Sequence, residues 1–296
     1  MSASFPSHTH AIREVYVTVK NAELFSREVG RGQPIIIIHG GPDFDHTYLL
    51  PDMDRLCDSY RLVYYDQRGR GRSRGELRLE DINIARTVED LDELRKYLQL
   101  DSVAILGHSW GGHVAMHYAI QHPDCVSHML LMNTAPASYE DGLLVRQDRL
   151  ARMVAHTERL NALKGSAEFI AGDPQAVVAY YRILFGTTFK RPENLERLHL
   201  NWTQEDILRG RAVEDRFMEG LFWSEGFTLI PQLRRLRNPT LVIHGDYDWI
   251  PVACAAHIAE AIPGARLVIL KDCGHFAYIE SPEELRKAMA DFFANA

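Results

Sequence analysis

The stretch Val103-Ala104-Ile105-Leu106-Gly107-His108-Ser109-Trp110-Gly111-Gly112 decides how this chain folds. Its first four residues are a short apolar run of buried-strand type, and residues 113–121 read as a helix. Between them stands Gly-x-Ser-x-Gly, a turn too cramped for side chains two positions before and two after the serine. A strand, a tight turn and a helix in that order lift the Ser109 hydroxyl clear of a sheet. They also set main-chain N–H groups at a helix start beside it. An alcohol so placed is a candidate nucleophile, and N–H groups so placed can hold a developing negative charge.

On either side of this stretch, strand-like and helix-like segments alternate. Residues 14–19 and 22–29 alternate apolar and polar, with Lys20-Asn21 between them, which predicts a hairpin. Ile35-Ile36-Ile37-Ile38 does not alternate and predicts a central strand buried on both faces. Residues 61–65 and 129–132 are further strands, and residues 84–98 carry Val88, Leu91, Leu94 and Leu98 at the spacing of an outer amphipathic helix. After Pro239 come a strand at 240–244, a helix at 252–262 and a strand at 266–270. A closing helix follows at 282–293, with Ser281 as its cap and Pro282 in its first turn. This rhythm predicts an α/β fold: a mostly parallel central sheet with helices on both faces.

Between residues 135 and 236 the strand-like runs vanish. Long amphipathic stretches at 143–163, 174–185 and 193–208 take their place. We expect a helical lid inserted at 135–236 into a core formed by 1–134 and 237–296, with residues 1–11 as a loose polar tail. The lid is rich in aromatics (Tyr180, Tyr181, Phe185, Phe189, Trp202, Phe217, Phe222, Trp223), most of them lid core and a few facing the site.

A serine needs a base, and the base needs an orienting carboxylate. In this layout both come after the serine, each just past a strand, carboxylate first. Asp248 and His275 meet those conditions. Asp246, the rival carboxylate, stands nearer its strand end and is read as shaping the turn. His39-Gly40-Gly41-Pro42-Asp43 ends the isoleucine strand, and its glycines let main chain approach a ligand. We assign the oxyanion N–H groups to Gly41 and Trp110, with Asp43 or Asp45 as a helix cap. Asp66-Gln67-Arg68-Gly69-Arg70-Gly71-Arg72-Ser73 lacks a phosphate-loop pattern and is read as a buttressing turn. His113 and His117 stand four apart, but the glutamate of a zinc-protease helix is missing between them, so they are read as ordinary helix residues and no metal or cofactor is implied.

The bulk composition narrows the class. Of 296 residues, 46% are hydrophobic and 25% charged, as in globular proteins. A formal net charge of −7 argues against nucleic acid as a partner. Cys57, Cys125, Cys254 and Cys273 fit neither a metal finger nor a disulfide framework, which predicts a reducing, cytoplasmic setting. Residues 1–10 have no signal-peptide pattern, and the longest aliphatic run, 35–38, is far short of a membrane span. A small-molecule or short-peptide substrate is therefore the expected partner.

Four motifs together resemble the α/β-hydrolase superfamily, and within it the proline iminopeptidases. They are His39-Gly40-Gly41-Pro42, Asp66-Gln67-Arg68-Gly69 with Gly71 and Ser73, Gly107-His108-Ser109-Trp110-Gly111-Gly112, and Gly245 to Asp248 with Gly274-His275. The resemblance covers residues 14–134 and 237–294. It implies a Ser109–His275–Asp248 serine hydrolase that forms an acyl-enzyme and releases N-terminal residues, proline first, from small peptides. An esterase acting on small esters and a non-catalytic binding protein are the alternatives. It also implies acidic lid residues that hold the substrate's amino terminus. The stretch around Glu214 is loosely similar to one such segment, with Glu205 behind it. Asp43, which replaces the glycine usual at the end of the first motif, can serve instead. A buried acidic pair near Ser109 favours the peptidase; a dry aromatic pocket favours the esterase.

Overall fold

In the computed structural model, which describes residues 10–218 and 221–295, the four isoleucines lie in strand β3 (Gln33–Ile38), fully buried. Their alternation splits them between two layers of core. Ile36 and Ile38 join the side built from Val88, Leu91 and Leu94 of α1 (Ile84–Tyr97) and Val114 of α2 (Trp110–Gln121). Ile35 and Ile37 join the opposite side, with Leu285, Met289 and Phe292 of the closing helix Pro282–Phe293. Each such side chain stabilises the fold by about 1.5–3 kcal/mol through burial, which is why an unbroken β-branched run suits a strand covered on both faces.

The sheet has eight strands. β1 (Arg13–Val19) and β2 (Ala22–Gly30) form the hairpin, with Asn21 at φ 63° in the turn. β4 (Tyr60–Tyr65), β5 (Val103–His108), β6 (Val126–Met132), β7 (Thr240–Gly245) and β8 (Arg266–Leu270) complete it in the order β1-β2-β4-β3-β5-β6-β7-β8. β1/β2 and β2/β4 pair antiparallel and all other neighbours parallel. The residues just past β3, β5, β7 and β8 therefore gather at one edge of the sheet, where α/β folds bind their ligands.

Between β6 and β7 the chain forms α3 (Tyr139–Met153), α4 (Thr157–Lys164), α5 (Ala167–Ala171), α6 (Pro174–Gly186), α7 (Gln204–Met218) and α8 (Ile230–Leu233). The amphipathic stretch expected at 143–163 forms two helices, α3 and α4, joined by a 3-10 turn at Val154–His156. The stretch expected at 193–208 is also two pieces, a 3-10 turn at Pro192–Arg197 and then α7. Thr203 and Asp206 explain the later start. The Thr203 hydroxyl accepts from Asp206 N at 3.2 Å and the Asp206 carboxylate accepts from Thr203 N at 3.1 Å, a reciprocal cap that begins a helix there.

After β7 come α9 (Val252–Ala261), the short α10 (Ala277–Glu280), which the periodicity did not reveal, and the closing helix α11 (Pro282–Phe293). Ser281 stands at the N-cap position of α11 without a side-chain capping bond. Residues 1–9 of the expected polar tail lie outside the described residues. Among the described residues no helix is long and apolar enough to cross a membrane.

Candidate active site

Ser109 comes directly after β5, with φ 55° and ψ −121°, a region that side chains rarely adopt. The turn closes because Gly111 brings α2 against the end of β3: a Cβ there would fall on the Ile38 carbonyl. Met132 O accepts from Ser109 N at 3.1 Å, and Ser109 O accepts from the amides of Gly112 and Ala135 at 3.0 and 2.9 Å. The strained main chain is thus held from three sides.

His275 Nε2 lies 3.1 Å from Ser109 Oγ, and His275 Nδ1 lies 2.9 Å from both carboxylate oxygens of Asp248. Residues 109, 248 and 275, far apart in sequence, converge because each stands just past a parallel strand. Asp248 also accepts from Asn133 Nδ2 at 2.7 Å and from Ile250 N at 3.0 Å. Burial disfavours its charge, but His275, with His244 and the Ile250 amide, outweighs that and brings its pKa down to about 2. Asp246 is elsewhere: one carboxylate oxygen faces Cys273 N at 3.4 Å and the other Lys271 Nζ at 3.4 Å.

The His39–Pro42 loop lies against Ser109, since a Cβ on Gly40 would stand 3.0 Å from that of Ser109. Tyr48 OH accepts from Gly40 N at 2.7 Å and donates to His108 Nδ1 at 2.6 Å, and His108 Nε2 donates to His275 O at 2.9 Å. That chain runs from the glycine loop to the histidine loop; burial brings His108 down to about 3, so it is neutral. Arg70 Nε donates to Pro42 O at 2.6 Å, and Arg68 pairs with Asp90 at 2.6 Å. The arginine-rich turn thus supports the glycine loop. Asp45, rather than Asp43, supplies the cap, accepting from Thr47 N at 2.7 Å.

Above Ser109 lies a cavity of about 520 Å³, walled by Gly41, Trp110, His275 and residues from α3 to α7. Of the aromatics singled out in the sequence, Tyr180, Tyr181, Phe185 and Trp223 face it, while Phe189 and Phe217 are buried in the cores. Trp202 packs 4.8 Å from Phe44, and the side chain of Phe222 lies outside the described residues. Asp43 and Glu214 share the cavity wall, and Tyr181 OH donates to Asp43 Oδ2 at 2.5 Å. The Asp43 charge, with burial, pushes Glu214 up to about 8, and burial raises Asp43 as well. The Asp43 charge thus favours the protonated form of Glu214 near neutral pH.

Glu205 is a correction. Its side chain is 80% exposed, and it is not among the residues that line the cavity. Nine positions before Glu214 on α7, it points about half a turn away.

Three contributors escaped sequence reasoning. Asn133 orients Asp248 from the end of β6. Arg152 ties α3 to the turn after β7 by donating to Tyr247 O and Asp248 O at 2.9 Å each. Tyr181 was singled out only as a lid aromatic. Their only signal was position after a strand or on an amphipathic stretch.

Among the described residues, three groups of side chains lie close enough together to ligate a metal, two of them being His10 with Cys57 and Asp58, and Asp92 with His122 and Cys125. The third, Asp45 with His46 and Asp66, is buried. The Asp66 oxygens are already taken, Oδ1 by His46 N and Nδ1 at 3.0 and 2.7 Å and Oδ2 by Arg72 N at 2.8 Å. The Nε2 atoms of His113 and His117 lie 3.2 Å apart on α2, and His113 stacks on Trp110.

Comparison with known proteins agrees with this architecture. The model of the alpha/beta hydrolase fold family matches residues 33–282. A proline iminopeptidase of Saccharolobus solfataricus is 28% identical, over 90% of this chain and 86% of that protein. Among solved structures, the proline iminopeptidase-related protein of Thermus thermophilus superposes with TM-score 0.70 at 23% identity, covering 96% of this chain and 98% of that one. An esterase of Exiguobacterium antarcticum superposes with TM-score 0.67 at 20% identity, covering 96% and 100%. The chain therefore belongs to the α/β hydrolase fold family, and within it is proline iminopeptidase-like.

Proposed function

We propose that this protein is a serine hydrolase that removes an N-terminal residue, proline first, from short peptides. In this reading His275 Nε2 takes the Ser109 proton as Oγ attacks the scissile carbonyl, and the N–H groups of Gly41 and Trp110 hold the oxyanion. Neither N–H has a protein acceptor among the described residues, which suits that role. His275 then protonates the departing nitrogen; next it takes a proton from the water that attacks the acyl carbonyl, and it gives that proton to Ser109 Oγ as the acyl–oxygen bond breaks. Asp248 holds the imidazole in the tautomer with Nδ1 protonated and stabilises the imidazolium. No cofactor enters these steps. Residues 135–236 act as the lid that closes over the core formed by 1–134 and 237–296. Four free cysteines fit a cytoplasmic location.

The observation that carries the peptidase reading is the Asp43–Glu214 pair on the cavity wall beside Ser109. An Asp43 carboxylate and a protonated Glu214 on one wall make a monoanionic acceptor for a substrate ammonium, and Tyr181 fixes Asp43. A small neutral ester has no use for such a pair. The aromatic wall formed by Phe44, Phe185 and Trp249 favours the esterase reading, so a direct comparison separates the two. Prolyl p-nitroanilide, its N-acetylated form and p-nitrophenyl acetate are assayed side by side. We expect turnover of the free-amine compound and at least a hundredfold loss on acetylation. Turnover of the ester alone sinks the peptidase assignment.

A further inference from the structure

Arg149 faces the cavity from α3 and is part-buried, yet it makes no hydrogen bond or ion pair among the described residues. The nearest acidic neighbour in sequence, Asp148, is engaged by Arg152 Nε at 2.5 Å. What holds the Arg149 guanidinium is the ring of Trp249, 5.0 Å away, and that ring in turn packs 5.3 Å from His275. Trp249 therefore stands next to both the cation and His275, whereas Asp43 belongs to the glycine loop. The other cavity-wall cations differ. Arg211 lies over Phe169 at 4.3 Å and donates to Ile170 O, and Lys164 is exposed beside Tyr180. The acidic groups on the same wall are Asp43, Glu214 and the exposed Asp215. The charge of Arg149 opposes the protonation of Asp43 and Glu214 without pairing with either.

Building on the aminopeptidase reading, we propose that Arg149 forms a subsite for the C-terminal carboxylate of the substrate, so that the preferred substrates are zwitterionic di- and tripeptides. The amine goes to Asp43 and Glu214, the scissile carbonyl to Ser109, and the carboxylate of the departing one or two residues to Arg149. The lengths agree. One or two residues of ~3.5 Å each, plus an ionic contact of ~3 Å, span the two ring-to-group steps from His275 through Trp249 to the guanidinium. A guanidinium supported on an aromatic face keeps its fork of donors free for a carboxylate.

The test compares prolylglycine and prolylglycylglycine with their C-terminal amides at pH 7.5, by kcat/KM. At least one free acid is expected to exceed its amide about tenfold, a margin that shrinks in 1 M salt and falls to about one in Arg149→Met. The salt series on the unmutated enzyme decides the matter if Arg149→Met does not fold. Equal turnover of acids and amides overturns the Arg149 subsite and leaves the aminopeptidase assignment standing. No turnover of any prolyl compound, with p-nitrophenyl acetate hydrolysed, overturns that assignment and this inference with it.

Discussion

At Ser109 the chain holds a non-glycine residue at φ 55°, a conformation that costs about 1–3 kcal/mol and persists because neighbouring strands and helices over-determine it. The same over-determination aligns His275 and Asp248. Asp248 keeps its charge down to about pH 2 because His275, His244 and the Ile250 amide all favour the anion against burial. Asp248→Asn should lower kcat by about 10⁴-fold, since the histidine then settles in the wrong tautomer. Steady-state kinetics with the prolyl p-nitroanilide check this, and a loss below tenfold contradicts it. Glu214 offers a test with the opposite sign. Its pKa rises from 4.5 to about 8 on folding, so the folded state binds more protons than the unfolded state between those values. Its contribution to stability is therefore greatest below pH 4.5 and is lost as pH rises through about 8. Glu214→Gln has no such loss, so its Tm should exceed that of the unmutated protein at pH 9 and not at pH 4. Matching melting curves at pH 9 count against a Glu214 held protonated by the Asp43 charge.

At the scale of elements, α7 matters most, because it brings Glu214 to Asp43. It can do so because Gly210, one turn before Glu214, packs on the Asp43 main chain: a Cβ there would stand 2.5 Å from Asp43 O. Gly210→Ala should push α7 outward, destabilise the fold by about 1–3 kcal/mol and raise KM for free-amine substrates more than for p-nitrophenyl acetate. Equal KM changes for amine and ester would mean that α7 serves the fold alone. This dependence explains why the lid was only partly legible. Its helices announced themselves by amphipathic spacing, but their ends depended on side-chain caps such as Thr203 with Asp206, and the 3-10 turn at 154–156 left no mark in the periodicity. Glu214 and Glu205 looked alike in sequence. Only the face that α7 turns to the loop separates them.

Across the whole molecule, the sheet was readable because burial on two faces imposes unbroken apolar runs, as at residues 35–38 and 103–106, and the order of strands and helices then brought residues 109, 248 and 275 to one edge. Contacts made through long crossovers, such as Asn133 on Asp248 or Arg152 on the turn after β7, arise from tertiary packing and have no local signature. Ile37, fully buried between β4 and β5, probes the sheet itself. Ile37→Ala should cost about 2–5 kcal/mol, seen as a lower urea midpoint with an unchanged m-value. A cost under about 1 kcal/mol contradicts a core packed on both faces. The central claim is that the Ser109 hydroxyl is the group His275 deprotonates, and intact-mass spectrometry after a fluorophosphonate tests it most directly. The account predicts one adduct on the unmutated protein, located at Ser109, and none on Ser109→Ala; an adduct of undiminished yield on Ser109→Ala contradicts it.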